Sequence, residues 1–269
     1  MIPKTIHYCW FGRNTKPALA YKCIETWKDY MPDFEIIEWN EDNYDFSACP
    51  EYVKEAYKSK KWAFVSDYVR FDILHQYGGI YLDTDVELLR SLNPIISKGA
   101  FMGCEALCDR ANGVRVNPGL GMAAEQGNKF LKEMIDFYNT IHFVDEKGEL
   151  NEKTIVDYTT EHLLHYGLKN VQEIQKVENF IIYPPSFFCP KAWNSYKKNF
   201  CGYGKAFSVH HFSASWQSEE QKKMAQYYYR KNKINKYKSK LKDLIILVVG
   251  KEHFELLRKK IKEKNNAGK

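Results

Sequence analysis

Asp83 and Asp85 stand two apart in GGIYLDTDVELL, residues 78–89, at the end of a short apolar run. Side chains two apart on a strand leave it on the same side, so both carboxylates can converge on one hard cation such as Mg²⁺ or Mn²⁺. Like charges at the end of a buried strand are costly unless something positive meets them. Such a cation keeps open positions for phosphate oxygens, which makes a diphosphate leaving group a natural third party. By itself a D-x-D also suits a solvated turn, so the neighbouring residues matter.

Asp67 and Arg70 lie three apart and share a helix face, either as a surface ion pair or as the polar lining of the same cleft. In a cleft the arginine would contact sugar hydroxyls or phosphate and the aspartate would accept hydrogen bonds from hydroxyls. Trp10 ends an apolar run and is either core or a stacking platform for a base. His210 and His211 are adjacent on a strand-like segment, so at most one of them reaches a given metal. Either one, with the two aspartates, makes a reasonable Mn²⁺ set. No G-x-G-x-x-G or G-x-x-x-x-G-K-[ST] follows any strand, which leaves a nucleotide without a glycine-rich cradle.

These groups must be positioned by alternating elements. KTIHYCWF (4–11) reads as a strand covered on both faces and stopped by Gly12. Leu19, Cys23, Trp27 and Tyr30 follow at helical spacing, then FEIIEW (34–39) as a second strand, which together make a βαβ unit. WAFVSDYVRFDILHQY (62–77) carries Val65, Val69, Ile73 and Tyr77 every four residues, and Gly78–Gly79 close it as a left-handed cap. IYL follows as a strand. Further strands are expected at 99–103, 180–185 and 206–212, and helices around 127–141 and 154–166. Such alternation predicts an α/β layered domain with a mostly parallel sheet, its ligand site off the carboxyl ends of the strands.

Composition is that of an ordinary globular chain, 44% hydrophobic and 28% charged, which argues against a disordered protein. The seven cysteines are odd in number and form no C-x-x-C, against a disulfide framework or a zinc ribbon. The opening MIPKTIHYCWFG lacks a basic and then apolar leader pattern, and no apolar run approaches a membrane span, so a cytoplasmic location is expected. The net charge of +6 is unevenly placed. From Ser218 onward there are 16 Lys+Arg against 6 Asp+Glu, leaving 24 against 28 for residues 1–217.

Four segments in this order resemble the DXD-containing, sugar-nucleotide-dependent glycosyltransferases of family 32, which include yeast-type mannosyltransferases and bacterial capsular polysaccharide enzymes and are distantly similar to clostridial toxin glucosyltransferase domains. The segments are IPKTIHYCWFG (2–12), AFVSDYVRFDILHQYGGIYLDTDVE (63–87), VNPGLGMAAEQGNKFLKEM (116–134) and VHHFSASW (209–216), spanning about four-fifths of the chain. The resemblance implies a GT-A fold, a Rossmann-like α/β domain over 1–217 followed by a basic, mainly helical extension over 218–269. It implies that Trp10 stacks on the base and that Asp67 and Arg70 hold the donor sugar, with Tyr81 and Asn117 beside it. Asp83 would contact ribose or metal, Asp85 would be the more direct ligand, and His210 would be the metal-associated histidine with His211 as second choice. Ser215 and Trp216 would close over the diphosphate. The implied reaction is retaining transfer of a hexose-type unit from a nucleoside diphosphate sugar, UDP-linked, to a hydroxyl of a glycan or lipid-linked acceptor in capsule or surface polysaccharide synthesis. The acceptor base is unassigned; Glu105 faces either the acceptor or other side chains.

Residues 224–264 interleave aromatics and leucines with lysines, which suits either a helix on an anionic membrane surface, making the protein peripheral at the inner face, or a solvated helix packed on the catalytic domain. Two alternatives compete. LDTDV also fits the nucleophile motif of haloacid dehalogenase-like phosphatases, with Asp83 phosphorylated, although the motif lies some eighty residues in. A basic nucleic-acid-binding protein fits the pI but no binding signature, so no nucleic-acid partner is expected.

Overall fold

The computed structural model describes residues 1–105, 114–171, 173–190 and 204–213, together with Tyr227, Ile246, Leu247 and Gly250. The chain divides into two units, Met1–Trp216 and Gln217–Lys269. Almost all described residues belong to the first. Its elements run β1 (Thr5–Cys9), α1 (Ala18–Tyr30), β2 (Glu35–Trp39), α2 (Glu51–Lys58), α3 (Trp62–Tyr77), β3 (Gly79–Tyr81), β4 (Val86–Leu88), α4 (Asn93–Ile96), β5 (Phe101–Cys104), β6 (Val116–Ala124), α5 (Lys129–Tyr138), α6 (Ile155–His165), β7 (Gln175–Val177), β8 (Phe180–Tyr183), α7 (Pro185–Phe188) and β9 (Ser208–His210).

Seven strands form one sheet in the order β2-β1-β3-β6-β5-β8-β7, and β4 pairs with β9 apart from it. β2, β1, β3, β5 and β8 point one way, while β6 and β7 are antiparallel to their neighbours. The expected α/β layering and mostly parallel sheet are observed, with β6 as a reversed strand at the centre. Period-two alternation sends successive side chains into two separate cores. Cys9, Tyr81, Met102 and Met122 join one that holds Val65, Val69 and Ile73 of α3 and Leu131 of α5; Tyr8, Ile80, Leu82, Phe101 and Ala123 join the other, which holds Ile24 and Trp27 of α1.

The four-residue spacing in α3 marks its ends correctly but not its exposed face: Val65, Val69 and Ile73 are fully buried while Tyr77 is 50% exposed. The helix lies between the sheet and its neighbours, so Asp67 and Arg70 are also buried rather than on a solvated surface. Gly78 ends it at φ 66°, ψ −169°, a region essentially reserved for glycine, and not the left-handed cap that the sequence predicts. That backbone turns the chain directly from α3 into β3, and a side chain at Gly78 would strike Gln126 N at 2.8 Å.

Candidate metal and donor-sugar site

The C-terminal ends of parallel β1 and β3 deliver the site, as expected for a sheet of this kind. Asp83 follows β3 by two residues, and its N–H donates to the Gly119 carbonyl at 3.0 Å. Gly119 sits where the β5–β6 pairing steps from Met102↔Met122 to Gly103↔Asn117, so residues 118–121 leave the ladder as a bulge. A Cβ on Gly119 would fall 2.0 Å from Asp83 Oδ2 and 2.9 Å from Arg70 Nη1, so glycine is needed for this close approach.

Asp85 is brought to its partners by a different device. Trp27 of α1 is fully buried and donates through Nε1 to the Val86 carbonyl at 2.7 Å, fixing β4 against the helix. β4 then pairs with β9 in the register Val86↔His210, which places the histidine beside the aspartates. His210 Nε2 lies 3.0 Å from Asp85 Oδ1 and 4.0 Å from Asp83 Oδ2. One oxygen of each carboxylate and one imidazole nitrogen all lie within 4.8 Å of one another.

This donor set fits a divalent cation. Two carboxylate oxygens and an imidazole suit Mn²⁺ or Mg²⁺ with positions left for other oxygens. The charge arrangement points the same way, because the Asp85 side chain is only 13% exposed and no lysine or arginine pairs with it among the described residues. Burial opposes its ionisation, yet the His210 imidazole and the Ser213 N–H, which donates to Asp85 Oδ2 at 2.7 Å, hold the carboxyl well below the usual range. Burial likewise opposes a charge on His210, but Asp85 first, then Asp83 and Glu105, raise it above its ordinary value. Its Nδ1 is buried without a hydrogen-bond partner among the described residues.

The doubled histidine is resolved by the strand geometry. His211 turns away from the aspartates, with Nε2 at 2.8 Å from Glu87 Oε2, and Lys22 Nζ reaches the same carboxylate at 3.3 Å. The second-choice assignment of His211 to the metal is therefore corrected: successive strand residues face opposite sides, and only His210 meets the pair.

Arg70 bridges the helix and the strand. Nη2 donates to Asp67 Oδ1 at 3.0 Å, and Nη1 lies 3.3 Å from Asp83 Oδ1, which also accepts from the Tyr81 hydroxyl at 3.1 Å. Nε and Nη2 further donate to the Ser66 carbonyl and hydroxyl at 3.0 and 3.1 Å. Most of the guanidinium fork is thus committed inside the protein, and its Cζ lies 4.7 Å from the centre of the Tyr81 ring. Burial pushes the Asp67 carboxyl up to about 7, against the opposing pull of Arg70. Burial disfavours the Arg70 charge as well, and Asp83, Tyr81 and Asp67 outweigh it.

Asn117 donates through Nδ2 to Glu105 Oε2 at 3.0 Å and accepts the Gly119 N–H on Oδ1 at 2.8 Å. Its amide is tied at both ends, which sequence reasoning did not anticipate. Trp10 follows β1, half-buried, with Nε1 donating to the Asn14 carbonyl at 2.6 Å. Ser215 and Trp216 lie outside the described residues. Sequence reasoning also missed Gly119 and Ser213, since neither a glycine in a bulge nor a backbone N–H leaves a signature in residue type.

Residues 17–102 match the family model described as the glycosyltransferase sugar-binding region containing a DXD motif. Over this third of the chain the sequence is similar to DXD-containing glycosyltransferases. The matched span holds Asp67, Arg70, Asp83 and Asp85, while Trp10, Asn117 and His210 fall outside it. The chain is 29% identical over 141 residues to inositol phosphoceramide mannosyltransferase 3 of Schizosaccharomyces pombe, covering 50% of this chain and 36% of that protein. It is 31% identical over 105 residues to the mannosyl phosphorylinositol ceramide synthase CSH1 of Saccharomyces cerevisiae, covering 38% of this chain and 28% of that protein. The chain thus spans about a third of the length of the curated relatives it matches. Among solved structures, a glycosyltransferase involved in glycosylation of the major capsid of PBCV-1 aligns with 80% of this chain and 95% of its own, at 14% identity and a TM-score of 0.44.

Proposed function

We propose that the protein is a metal-dependent, retaining glycosyltransferase that moves a hexose-type sugar from a nucleoside diphosphate donor, UDP-linked, to a hydroxyl acceptor. The observation that carries this is the convergence of Asp83, Asp85 and His210 within 4.8 Å beside the buried Asp67–Arg70 pair. When bound, a Mn²⁺ or Mg²⁺ ion would neutralise charge on the departing diphosphate. The protein's own part is positioning. Arg70 holds Asp83 and Asp67 in fixed relation, Ser213 and His210 hold Asp85, and Trp10 offers an aromatic face at the β1 end for the base.

The names of the relatives favour an acceptor on a lipid carrying inositol phosphate over a capsular glycan, so a lipid-linked hydroxyl is the acceptor class proposed. The phosphatase alternative asks Asp83 for a free nucleophilic oxygen. One of its oxygens instead meets Arg70 and Tyr81, and the other faces His210 as part of the cation-binding trio.

The test is a panel of nucleotide sugars incubated with the full chain and Mn²⁺, read as release of free nucleoside diphosphate. At least one donor is expected to turn over, and Asp85→Ala to abolish the release. Absence of both turnover and metal-dependent nucleotide binding with every donor would sink the proposal, and a product of inverted anomeric configuration would remove its retaining part.

A further inference from the structure

Beyond the aspartates, the ends of β5 and β6 carry a polar assembly whose hydrogen bonds reach Asp83 through backbone, and whose Glu105 carboxylate also acts on His210 through its charge. Glu105 N–H donates to the Arg115 carbonyl at 3.0 Å. Arg115 Nε donates to Glu105 Oε1 at 2.8 Å, and its Nη1 to Asp157 Oδ1 at 2.9 Å. The other oxygen of Glu105 accepts from Asn117 Nδ2, Asn117 Oδ1 accepts from the Gly119 N–H, and the Gly119 carbonyl accepts from the Asp83 N–H. An unbroken hydrogen-bonded path therefore runs from the Arg115 guanidinium to the backbone of Asp83.

Three features give this path a job. Residues 118–121 have left the ladder with β5, so their placement depends on contacts other than strand pairing. The Asn117 amide is planar and engaged at both ends, so it cannot rotate without losing a partner. Both carboxylate oxygens of Glu105 accept charge-assisted or amide hydrogen bonds, which makes it a fixed anchor and a poor choice for the acceptor base. The Arg115 and Glu105 side chains are 25% and 19% exposed, so removing one partner costs some stability, and binding must be read beside a check of the fold.

We propose that Arg115 and Glu105 are positioning residues that, through Asn117, hold the β6 bulge against Asp83 and so set the spacing of the cation-binding trio. The proposal rests on the metal-site reading above, and outer partners of this kind commonly change metal affinity roughly 10- to 100-fold when lost.

Mn²⁺ binding to the full chain, followed by the paramagnetic resonance signal of the free ion, tests it without donor or turnover. Glu105→Gln and Arg115→Met, which change the local charge in opposite directions, are each expected to weaken binding about tenfold while circular dichroism shows the fold retained and Tm falls only modestly. On an Asn117→Ala background, Glu105→Gln is expected to add nothing, since the path is already cut. Affinities within twofold of the parent overturn the proposal, and so does an equal further loss on the Asn117→Ala background. Should Glu105→Gln fail to fold, Asp157→Asn loosens Arg115 from the outside; weaker Mn²⁺ binding is again expected, and no change overturns the idea. A parent that binds no Mn²⁺ sinks the metal reading and the strut with it, whereas a parent that binds alongside indistinguishable variants sinks the strut alone.

Discussion

His210 and His211 are identical side chains one position apart, and strand geometry alone gives them different fates. His210→Ala removes one of three clustered donor atoms, so Mn²⁺ affinity should fall roughly 100-fold, the upper range seen even for outer partners of metal ligands. His211→Ala loses only a partly exposed contact with Glu87, worth about 0–1 kcal/mol, and should leave Mn²⁺ affinity within about twofold of the parent. Calorimetric titration of both variants separates them, and equal losses would refute the assignment. Gly119→Ala makes the converse test, adding one carbon where the nearest Asp83 oxygen is 2.0 Å away. Overpacking of this kind costs about 1–3 kcal/mol, so the variant should fold with a lowered Tm and lose at least tenfold in metal-dependent turnover. An alanine variant with parental turnover would show that Asp83 has room to move. Asp83, Asp85, Asp67, Arg70 and the histidine pair were legible because carboxylates, arginine and imidazole announce their chemistry by type. Gly119, Ser213 and the Glu105–Asn117 contact were not, because their contribution is backbone placement and absence of bulk.

The elements were legible where one period dominated. The βαβ start, α3, and the helices later in the chain follow from apolar spacing and glycine stops, and the structure places them within a few residues of expectation. β6, the longest strand, was not read as a strand, because Asn117, Pro118, Gly119 and Gly121 look like a turn. The bulge explains the composition: Pro118 and the glycines sit where the ladder with β5 is broken. Short β4 and β7 carry too few residues for any alternation to register. The junction of β1, β2 and β3 gives a prediction at this scale. His7 of β1 donates from Nε2 to the Gly78 carbonyl at 2.9 Å and accepts from Trp39 Nε1 on Nδ1 at 3.0 Å, which fixes the neutral tautomer. Burial lowers its pKa to about 4, against the smaller opposing effect of the Gly78 carbonyl. With the unfolded value near 6.5, the unfolded chain binds the extra proton between pH 6.5 and 4. The contribution of neutral His7 is therefore fully present above 6.5 and lost as pH falls toward 4, amounting to roughly 3 kcal/mol. Urea unfolding across this range should show a steeper loss in the parent than in His7→Gln, which has no proton to gain. Parallel curves would mean that His7 titrates normally.

At the scale of the whole molecule, charge is the property that the folded unit does not explain. Residues 1–217 carry 24 basic against 28 acidic side chains, while Ser218 onward carries 16 against 6. Among the described residues no helix is long and apolar enough to cross a membrane. A lysine-rich segment interleaved with tyrosine, leucine and isoleucine remains suited to an anionic lipid surface, where each basic residue near the surface contributes about 1 kcal/mol. The proposed acceptor class gives that surface a purpose, because a hydroxyl on a lipid headgroup is met at the interface and a peripheral enzyme held there encounters it in two dimensions. The full chain should therefore co-sediment with vesicles containing anionic lipid and not with purely zwitterionic ones. The binding should weaken steeply from low to physiological salt, since the attraction acts over a Debye length that shrinks to about 8 Å at 0.15 M. Replacing Lys231, Lys233, Lys236, Lys238 and Lys240 together by glutamine should abolish sedimentation while leaving nucleoside diphosphate release toward a soluble acceptor unchanged. Equal sedimentation with anionic and zwitterionic vesicles, or no effect of the five substitutions, would assign the basic tail to something other than a membrane.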